Sequence, residues 1–252
     1  MHYISVIAMF KNETMNLKVW LEHYLWQGVD HFYLIDNGST DNPMSLLEDY
    51  INRGIVSYHY WEGRHQQTTY IRQLFDVENL KQNTYWLIHC DLDEFFYGKN
   101  KKLKILLQEL DQHANIIYCN WLMFGHENLI EHPDDIRKSI FHREPNKHVL
   151  TKCIFKPRVL NNSSQIELHS ITDHPEDIGQ RFTRVETEFI ILNHYPIQSL
   201  KFFTEVKMKR GDGQWSHHEN TRDMNYFHNY NVNCTYYDDV LSNLIINPPD
   251  GY

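Results

Sequence analysis

The chain has 252 residues, 41% of them hydrophobic and 23% charged, which is ordinary globular composition and enough to bury a sizeable core without staples. Its net charge of -9 argues against an extended nucleic-acid surface, which needs a basic face to displace counterions, while leaving room for a local basic cluster around a small phosphate ligand. Four scattered cysteines (Cys90, Cys119, Cys153 and Cys234) form no C-x-x-C pair and fit neither a zinc framework nor a disulfide scaffold; several fall at strand positions, where a thiol acts as a small buried hydrophobe.

The N-terminal stretch runs straight from an apolar strand into Lys11-Asn12-Glu13, without the charged region and long apolar run of a signal peptide. No later run approaches a membrane span. A cytoplasmic protein is the default expectation, with peripheral membrane contact left open.

Tyr3 to Met9 is a near-continuous apolar run, the pattern of a strand buried on both faces of a parallel sheet. Leu17, Trp20, Leu21, Tyr24 and Leu25 then recur at helical spacing, and Gly28 stands where a helix would stop. His31 to Ile35 returns to a strand, closed by Asp36-Asn37-Gly38-Ser39-Thr40-Asp41, which completes a β-α-β crossover. A second helix follows through Leu46, Leu47, Tyr50 and Ile51, ending near Gly54, and Ile55 to Tyr60 is a third strand. Tyr70 to Leu80 is expected to be helical and Tyr85 to Cys90 a strand, which delivers Asp91-Leu92-Asp93-Glu94 at its end. Leu103, Leu106, Leu107 and Leu110 form a helical stripe before an Ile116 to Trp121 strand. The expected fold is therefore α/β, a mostly parallel sheet flanked by helices. Ligands of such sheets bind outside the carboxyl ends of the strands, so the clusters Lys11 to Glu13, Asp36 to Asp41 and Asp91 to Glu94 should share one crevice.

Asp91 and Asp93 carry the chemical argument. Two carboxylates one residue apart on a turn leaving a strand suit a hard divalent cation, Mn²⁺ or Mg²⁺, which takes one or two protein carboxylates and completes its shell with phosphate oxygens and water. A cation so placed would stabilise the charge that grows on a diphosphate leaving a sugar. In the same way, Ser199 to Gly211 is expected to be a helix, capped by Ser199, with Leu200, Phe203 and Val206 inward and Lys207, Lys209 and Arg210 crowding its last turn. No P-loop or G-x-G-x-x-G follows the first strand, which disfavours a Walker-type NTPase or a dinucleotide oxidoreductase.

Taken in order, Phe10-Lys11-Asn12-Glu13, Trp20-Leu21-Glu22-His23-Tyr24, Gly28-Val29-Asp30-His31, Asp36 to Asp41 and Asp91-Leu92-Asp93-Glu94-Phe95 resemble the GT-A-type glycosyltransferases of families 2 and 92. Trp121 to Gly125, Lys152 to Pro157 with the downstream His169, and Asn193-His194-Tyr195 with Ser199, Phe203, Lys207 and Arg210-Gly211 fit the same pattern. The resemblance spans residues 4 to 211, giving a GT-A-like domain over 1–211 and a C-terminal extension, 212–252, packing on it. It implies Asn12, Glu13 and Asp36 near the nucleobase and ribose, Asp91 near the ribose or metal, Asp93 on the metal and His169 completing the metal or diphosphate shell. His194, Lys207 and Arg210 are implied on the donor diphosphate side.

The implied donor is a nucleotide-diphosphate sugar, UDP-sugar being the first choice, with a saccharide or other hydroxyl acceptor. An inverting transfer needs a base near that hydroxyl. Glu127 is the best-placed carboxylate by chain order, with His126, Asp134, Asp135 and Asp173 as alternatives. Two other readings share the acidic turn: a non-catalytic nucleotide- or carbohydrate-binding module, and a metal-dependent nucleotidyltransferase. The aromatic tail (Trp215, Tyr226, Phe227, Tyr230, Tyr236 and Tyr237) is expected to pack against the sheet or a second subunit, with an acceptor platform as the alternative.

Overall fold

A computed structural model of the chain describes residues 1–172, 184–186, 188–218, 222–249 and 251–252. β1 (His2–Phe10), α1 (Thr14–Trp26) and β2 (His31–Asp36) form the first crossover, with the two strands parallel and Phe10 level with Asp36. Alternation along β1 sends Ile4, Val6, Ala8 and Phe10 into one core with Leu17, Trp20, Leu21 and Tyr24 of α1. Ile7 points the other way, into a second core with Ile71, Leu74 and Phe75. A strand that feeds two cores must be apolar almost throughout, and from Tyr3 to Phe10 the run is interrupted by Ser5, whose buried hydroxyl accepts from that of Thr84.

α2 (Met44–Asn52) and β3 (Val56–Tyr60) follow as expected. The next helix, α3 (Gln67–Val77), begins and ends about one turn early. Asn79, in the left-handed region at φ +47°, breaks the chain there before the short α4 (Leu80–Asn83). β4 (Thr84–His89) then lies parallel to β1 on the side away from β2. The turn after β4 leads into a strand that the sequence pattern did not show, β5 (Glu94–Gly98), whose five residues are all buried.

α5 (Leu103–Leu110), β6 (Ile116–Met123), β7 (His142–Arg143), β8 (Thr151–Phe155), β9 (Arg184–Glu186) and β10 (Ile190–His194) complete the sheet region. Among the described residues, nine strands form one sheet in the order β3-β2-β1-β4-β8-β6-β10-β5, with β9 beside β6. Five of its pairings are parallel; β8 is antiparallel to both β4 and β6, and β5 is antiparallel to β10. This is the expected α/β architecture, a mostly parallel sheet flanked by helices. Because β1, β2 and β4 run the same way, their carboxyl ends meet at one edge, and the polar turns that follow them are neighbours. Among the described residues no helix is long and apolar enough to cross a membrane.

The expected helix after Ser199 forms, but not as one regular α-helix. It is α-helical over Leu200–Phe202 (α6), π-helical over Phe203–Lys207 and α-helical again over Met208–Arg210 (α7), with Ser199 accepting the Phe202 N–H at its start. A π turn adds a residue per turn and shifts the facing positions beyond it. The buried side is Phe202, Phe203, Val206 and Lys207 rather than the expected Leu200, Phe203 and Val206. Gly211 ends the helix at φ +71°. Beyond it come α8 (Met224–Val232), β11 (Tyr236–Tyr237), which pairs with β7, and α9 (Val240–Ile246).

Gly28 closes α1 at φ +92°, and a Cβ there would stand 2.7 Å from Cβ of Lys104. Gly28→Ala therefore meets both backbone strain and a steric clash, and a loss of about 1–3 kcal/mol is expected. Chemical denaturation checks this; an unchanged midpoint would contradict the geometry.

Candidate active site

The polar turns at the sheet edge are stitched together before any ligand is considered. Asn12, at φ +55°, accepts the Thr40 N–H on Oδ1 at 2.7 Å, and its own N–H goes to Oγ of Ser39 at 2.9 Å. Thr14 binds Asp41 through both its N–H and its hydroxyl. The loops after β1 and β2 thus behave as one piece.

The turn after β4 is held from several sides. The Asp91 N–H donates to Oε2 of Glu94 at 2.9 Å, and Nε1 of Trp20, in the core, donates to the Asp91 carbonyl at 3.1 Å. The Tyr195 N–H donates to the Asp93 carbonyl at 2.9 Å. Because β5 pairs with β10 at Glu94 and His194, the register carries the His194 ring to Asp93, with Nε2 3.6 Å from Oδ2.

Each acid that faces the cleft is matched by a cation from a later part of the chain. Lys152, 1% exposed on β8, donates to Asp91 at 3.0 Å and stands 3.6 Å from the fully buried Glu94. Gln67, at the start of α3, donates to the other Asp91 oxygen at 2.6 Å. Lys207, 6% exposed, donates to Asp93, itself 3% exposed, and Arg210, one turn on, donates to Glu13. Burial opposes ionisation of Asp91, but the Lys152 ammonium outweighs it and holds the carboxyl down at about 2. Asp93 is likewise kept well below the usual carboxylate range, burial being overcome by Lys207 and then His194. Both aspartates are anions at neutral pH.

These groups line a single cleft of about 610 Å³, within the usual size range of small-molecule sites. One part is formed by Met9 to Glu13, Asn37, Gly63 to His65 and Gln67, another by Asp91, Asp93, Lys152, His169 and His194, and a third by Lys207, Lys209 and Arg210. The expected shared crevice is present, with each of the three polar clusters contributing to its lining. Asn12, Glu13, Asp91, Asp93, His169, His194, Lys207 and Arg210 are all brought together.

Two expected residues are not. Asp36 lies behind the lining, its Oδ1 accepting the Ser39 N–H and its Oδ2 the Tyr58 hydroxyl, both at 2.7 Å. Its carboxylate shapes the loop, and Asn37 takes the lining position. Glu127 also lies off the cleft. One of its oxygens accepts the N–H groups of Phe141 and His142, at 2.9 and 2.5 Å, and contacts Nδ1 of His142 at 2.8 Å. It fastens the segment after β6, which removes the geometric ground for treating it as the base. His126, Asp134 and Asp135 do not line the cleft either, and Asp173 lies outside the described residues.

Two findings were not legible beforehand. Lys152 and Glu94 anchor the acidic turn; a lysine inside the apolar run Thr151-Lys152-Cys153-Ile154-Phe155 was the available signal. The segment after Gly211 is also part of the site. Its Gly213 carbonyl and Gln214 side chain accept the Gln67 and Thr68 N–H groups that open α3, and Arg222 binds Asp212. Asp212 to Trp215, Arg222, Tyr226 and Tyr230 line the cleft, Trp215 being 50% exposed, whereas Phe227 is core and Tyr236 and Tyr237 lie away on β11.

The donor set suits a hard divalent cation. Asp91 and Asp93 offer two carboxylates on one turn, and the rings of His169 and His194 each have a buried Nδ1 with no hydrogen-bond partner among the described residues. Burial, then the Lys152 charge, lowers His169 to about 4, so its ring is neutral and able to ligate. His194, also lowered chiefly by burial, is the imidazole beside Asp93. Among the described residues no three acidic, histidine or cysteine side chains form a ready protein cage. Such a cage is not required when phosphate oxygens and water complete the shell.

Removing the Lys152 ammonium should expose how much the turn depends on it. Lys152→Met leaves Asp91 and Glu94 without their cation, and a loss of about 3–5 kcal/mol is expected for one broken half of a buried pair. Equilibrium unfolding measures this, and a loss under about 1 kcal/mol, typical of a surface pair, would contradict the arrangement.

Comparison with known proteins adds a family. The profile of glycosyltransferase family 92 matches residues 2–236. A glycosyltransferase family 92 protein of Ricinus communis is 25% identical over 221 residues, which cover 83% of this chain and 38% of that protein. One of Arabidopsis thaliana is 23% identical over 242 residues, covering 88% of this chain and 41% of its own length. The chain thus spans about two fifths of the length of these curated relatives. Among solved structures, S. aureus TarS 1-349 aligns at a TM-score of 0.45 with 16% identity, over 90% of this chain and 71% of that one. The same protein in complex with UDP aligns at 0.43 with 16% identity, over 65% and 49%. With the family profile covering nearly its whole length, the chain belongs to glycosyltransferase family 92.

Proposed function

We propose that the cleft binds a nucleotide-diphosphate sugar and transfers its sugar to a hydroxyl of a glycan, lipid or protein acceptor. The observation that carries this reading is the meeting, in one cleft at the carboxyl edge of the sheet, of the Asp91–Asp93 turn with the basic end of the 200–210 helix. A diphosphate leaving group needs cations around it, and the helix presents Lys207 and Arg210 on the side of the acidic turn. Each can offer a charge-assisted hydrogen bond that strengthens as the phosphate oxygens gain charge. Asn12, Glu13 and Asn37 line the cleft on the β1–β2 side, the side that the proposal gives to the nucleoside.

A bound Mn²⁺ or Mg²⁺ would neutralise the diphosphate, and Asp91 and Asp93 are the residues to hold it. His194, beside Asp93, joins His169 as a candidate third ligand. Lys152 orients Asp91, and Gln67 fixes its second oxygen. The aromatic side chains that the segment after Gly211 adds to the cleft, Trp215, Tyr226 and Tyr230, suit the apolar faces of a sugar. An inverting course is part of the proposal, with the proton acceptor drawn from groups that line the cleft rather than from Glu127. UDP is the first nucleotide to test.

A thermal-shift series with UDP, GDP, CDP and dTDP, with and without Mn²⁺, tests the reading, because ligands that bind only the native state raise its melting temperature. At least one nucleotide should stabilise the protein more with Mn²⁺ than without. Asp93→Asn should abolish the Mn²⁺-dependent part and donor turnover together. No stabilisation by any nucleotide would overturn the proposal, and nucleotide binding without donor hydrolysis or transfer would favour a non-catalytic binding module.

A further inference from the structure

Asp93 occupies an unusual position for a residue expected to meet a free divalent cation. Its carboxylate already carries an ammonium, that of Lys207, and both side chains are buried. The neighbouring acid on the helix side, Glu13, is engaged by Arg210. A doubly charged ion in contact with Asp93 would sit a few ångströms from the Lys207 ammonium, where little solvent screens the repulsion. The two cations therefore compete for one carboxylate unless further negative charge enters the cleft.

We propose that Lys207 holds the place of the divalent cation at Asp93 until a nucleotide diphosphate arrives, so that cation and diphosphate bind as a coupled pair. This rests on the nucleotide-sugar reading above. The incoming phosphates supply the missing charge: their oxygens accept the ammonium as it leaves Asp93, and the freed carboxylate accepts the metal. Side-chain chemistry suits the exchange. A lysine is a compact charge on a flexible four-carbon stem, able to swing between two acceptors, whereas the planar guanidinium of Arg210 forms a fixed fork. Lys207 lies four residues on from the buried Phe203, on the same buried side of the helix, opposite the acidic turn. Reciprocity follows, since a diphosphate that raises the affinity for the cation must have its own affinity raised equally by the cation.

Titration calorimetry of the full chain with MnCl₂ and UDP, separately and together, tests this, alongside Lys207→Met and Asp93→Asn. In the unmodified protein saturating UDP should tighten Mn²⁺ binding by about tenfold or more, a usual size for coupling between sites. In Lys207→Met, Mn²⁺ alone should bind about tenfold tighter than in the unmodified protein, UDP should bind more weakly, and the coupling should shrink toward one. Asp93→Asn, which does not depend on how well Lys207→Met folds, should lose the Mn²⁺ effect while metal-free UDP binds more tightly, its lysine being released. Unchanged coupling in Lys207→Met, or metal-free UDP binding in Asp93→Asn that is no tighter than before, would overturn the exchange and leave the nucleotide-sugar reading standing. Failure of the unmodified protein to bind UDP, GDP, CDP or dTDP with Mn²⁺ would overturn both.

Discussion

The candidate site depends on how two aspartates, Asp93 buried and Asp91 half-buried, are kept charged. Asp91 and Asp93 sit on a turn between two strands, and the chain supplies Lys152 from β8 and Lys207 from the 200–210 helix to meet them. Burying a carboxylate without such a partner is costly, and burying a pair is tolerable only when hydrogen bonds satisfy the remaining lone pairs. Here Gln67 satisfies the second Asp91 oxygen, while the Asp91 N–H to Glu94 and the Tyr195 N–H to the Asp93 carbonyl fix the backbone of the turn. The ion pairs also tie β4, β8 and the basic helix to one another across more than a hundred residues of sequence. The fold and the charge pattern of the cleft are therefore a single arrangement.

Much of this was legible because it is local. A strand that is apolar at nearly every position, such as β1, declares burial on both faces, and the polar turn after it marks the ligand edge. Asp91 and Asp93 were readable for the same reason, at the end of Tyr85 to Cys90. Ser199 and Gly211 bounded the basic helix by their capping chemistry. None of these inferences needed a contact between distant residues.

What was missed is non-local. Phe95-Phe96-Tyr97 follows the acidic turn directly, and only its pairing with β10 makes it a strand. Glu127 stood close to the expected acceptor side by chain order, but its oxygen is committed to the backbone of Phe141 and His142. Asp36 was read as a ligand contact when both its oxygens serve the fold. Along the 200–210 helix Lys207 is buried where Leu200 was expected to be, an outcome that the side chain's charge does not advertise. The segment after Gly211 matched no pattern and nevertheless builds one wall of the cleft.

A crystal structure of the protein with UDP and Mn²⁺ addresses the central claim most directly. The account predicts the diphosphate between the Asp91–Asp93 turn and the Lys207–Arg210 turn, with the metal on Asp93 and the uridine toward Asn12 and Asn37. A nucleotide bound outside this cleft, or one whose phosphates touch neither Lys207 nor Arg210, would contradict it.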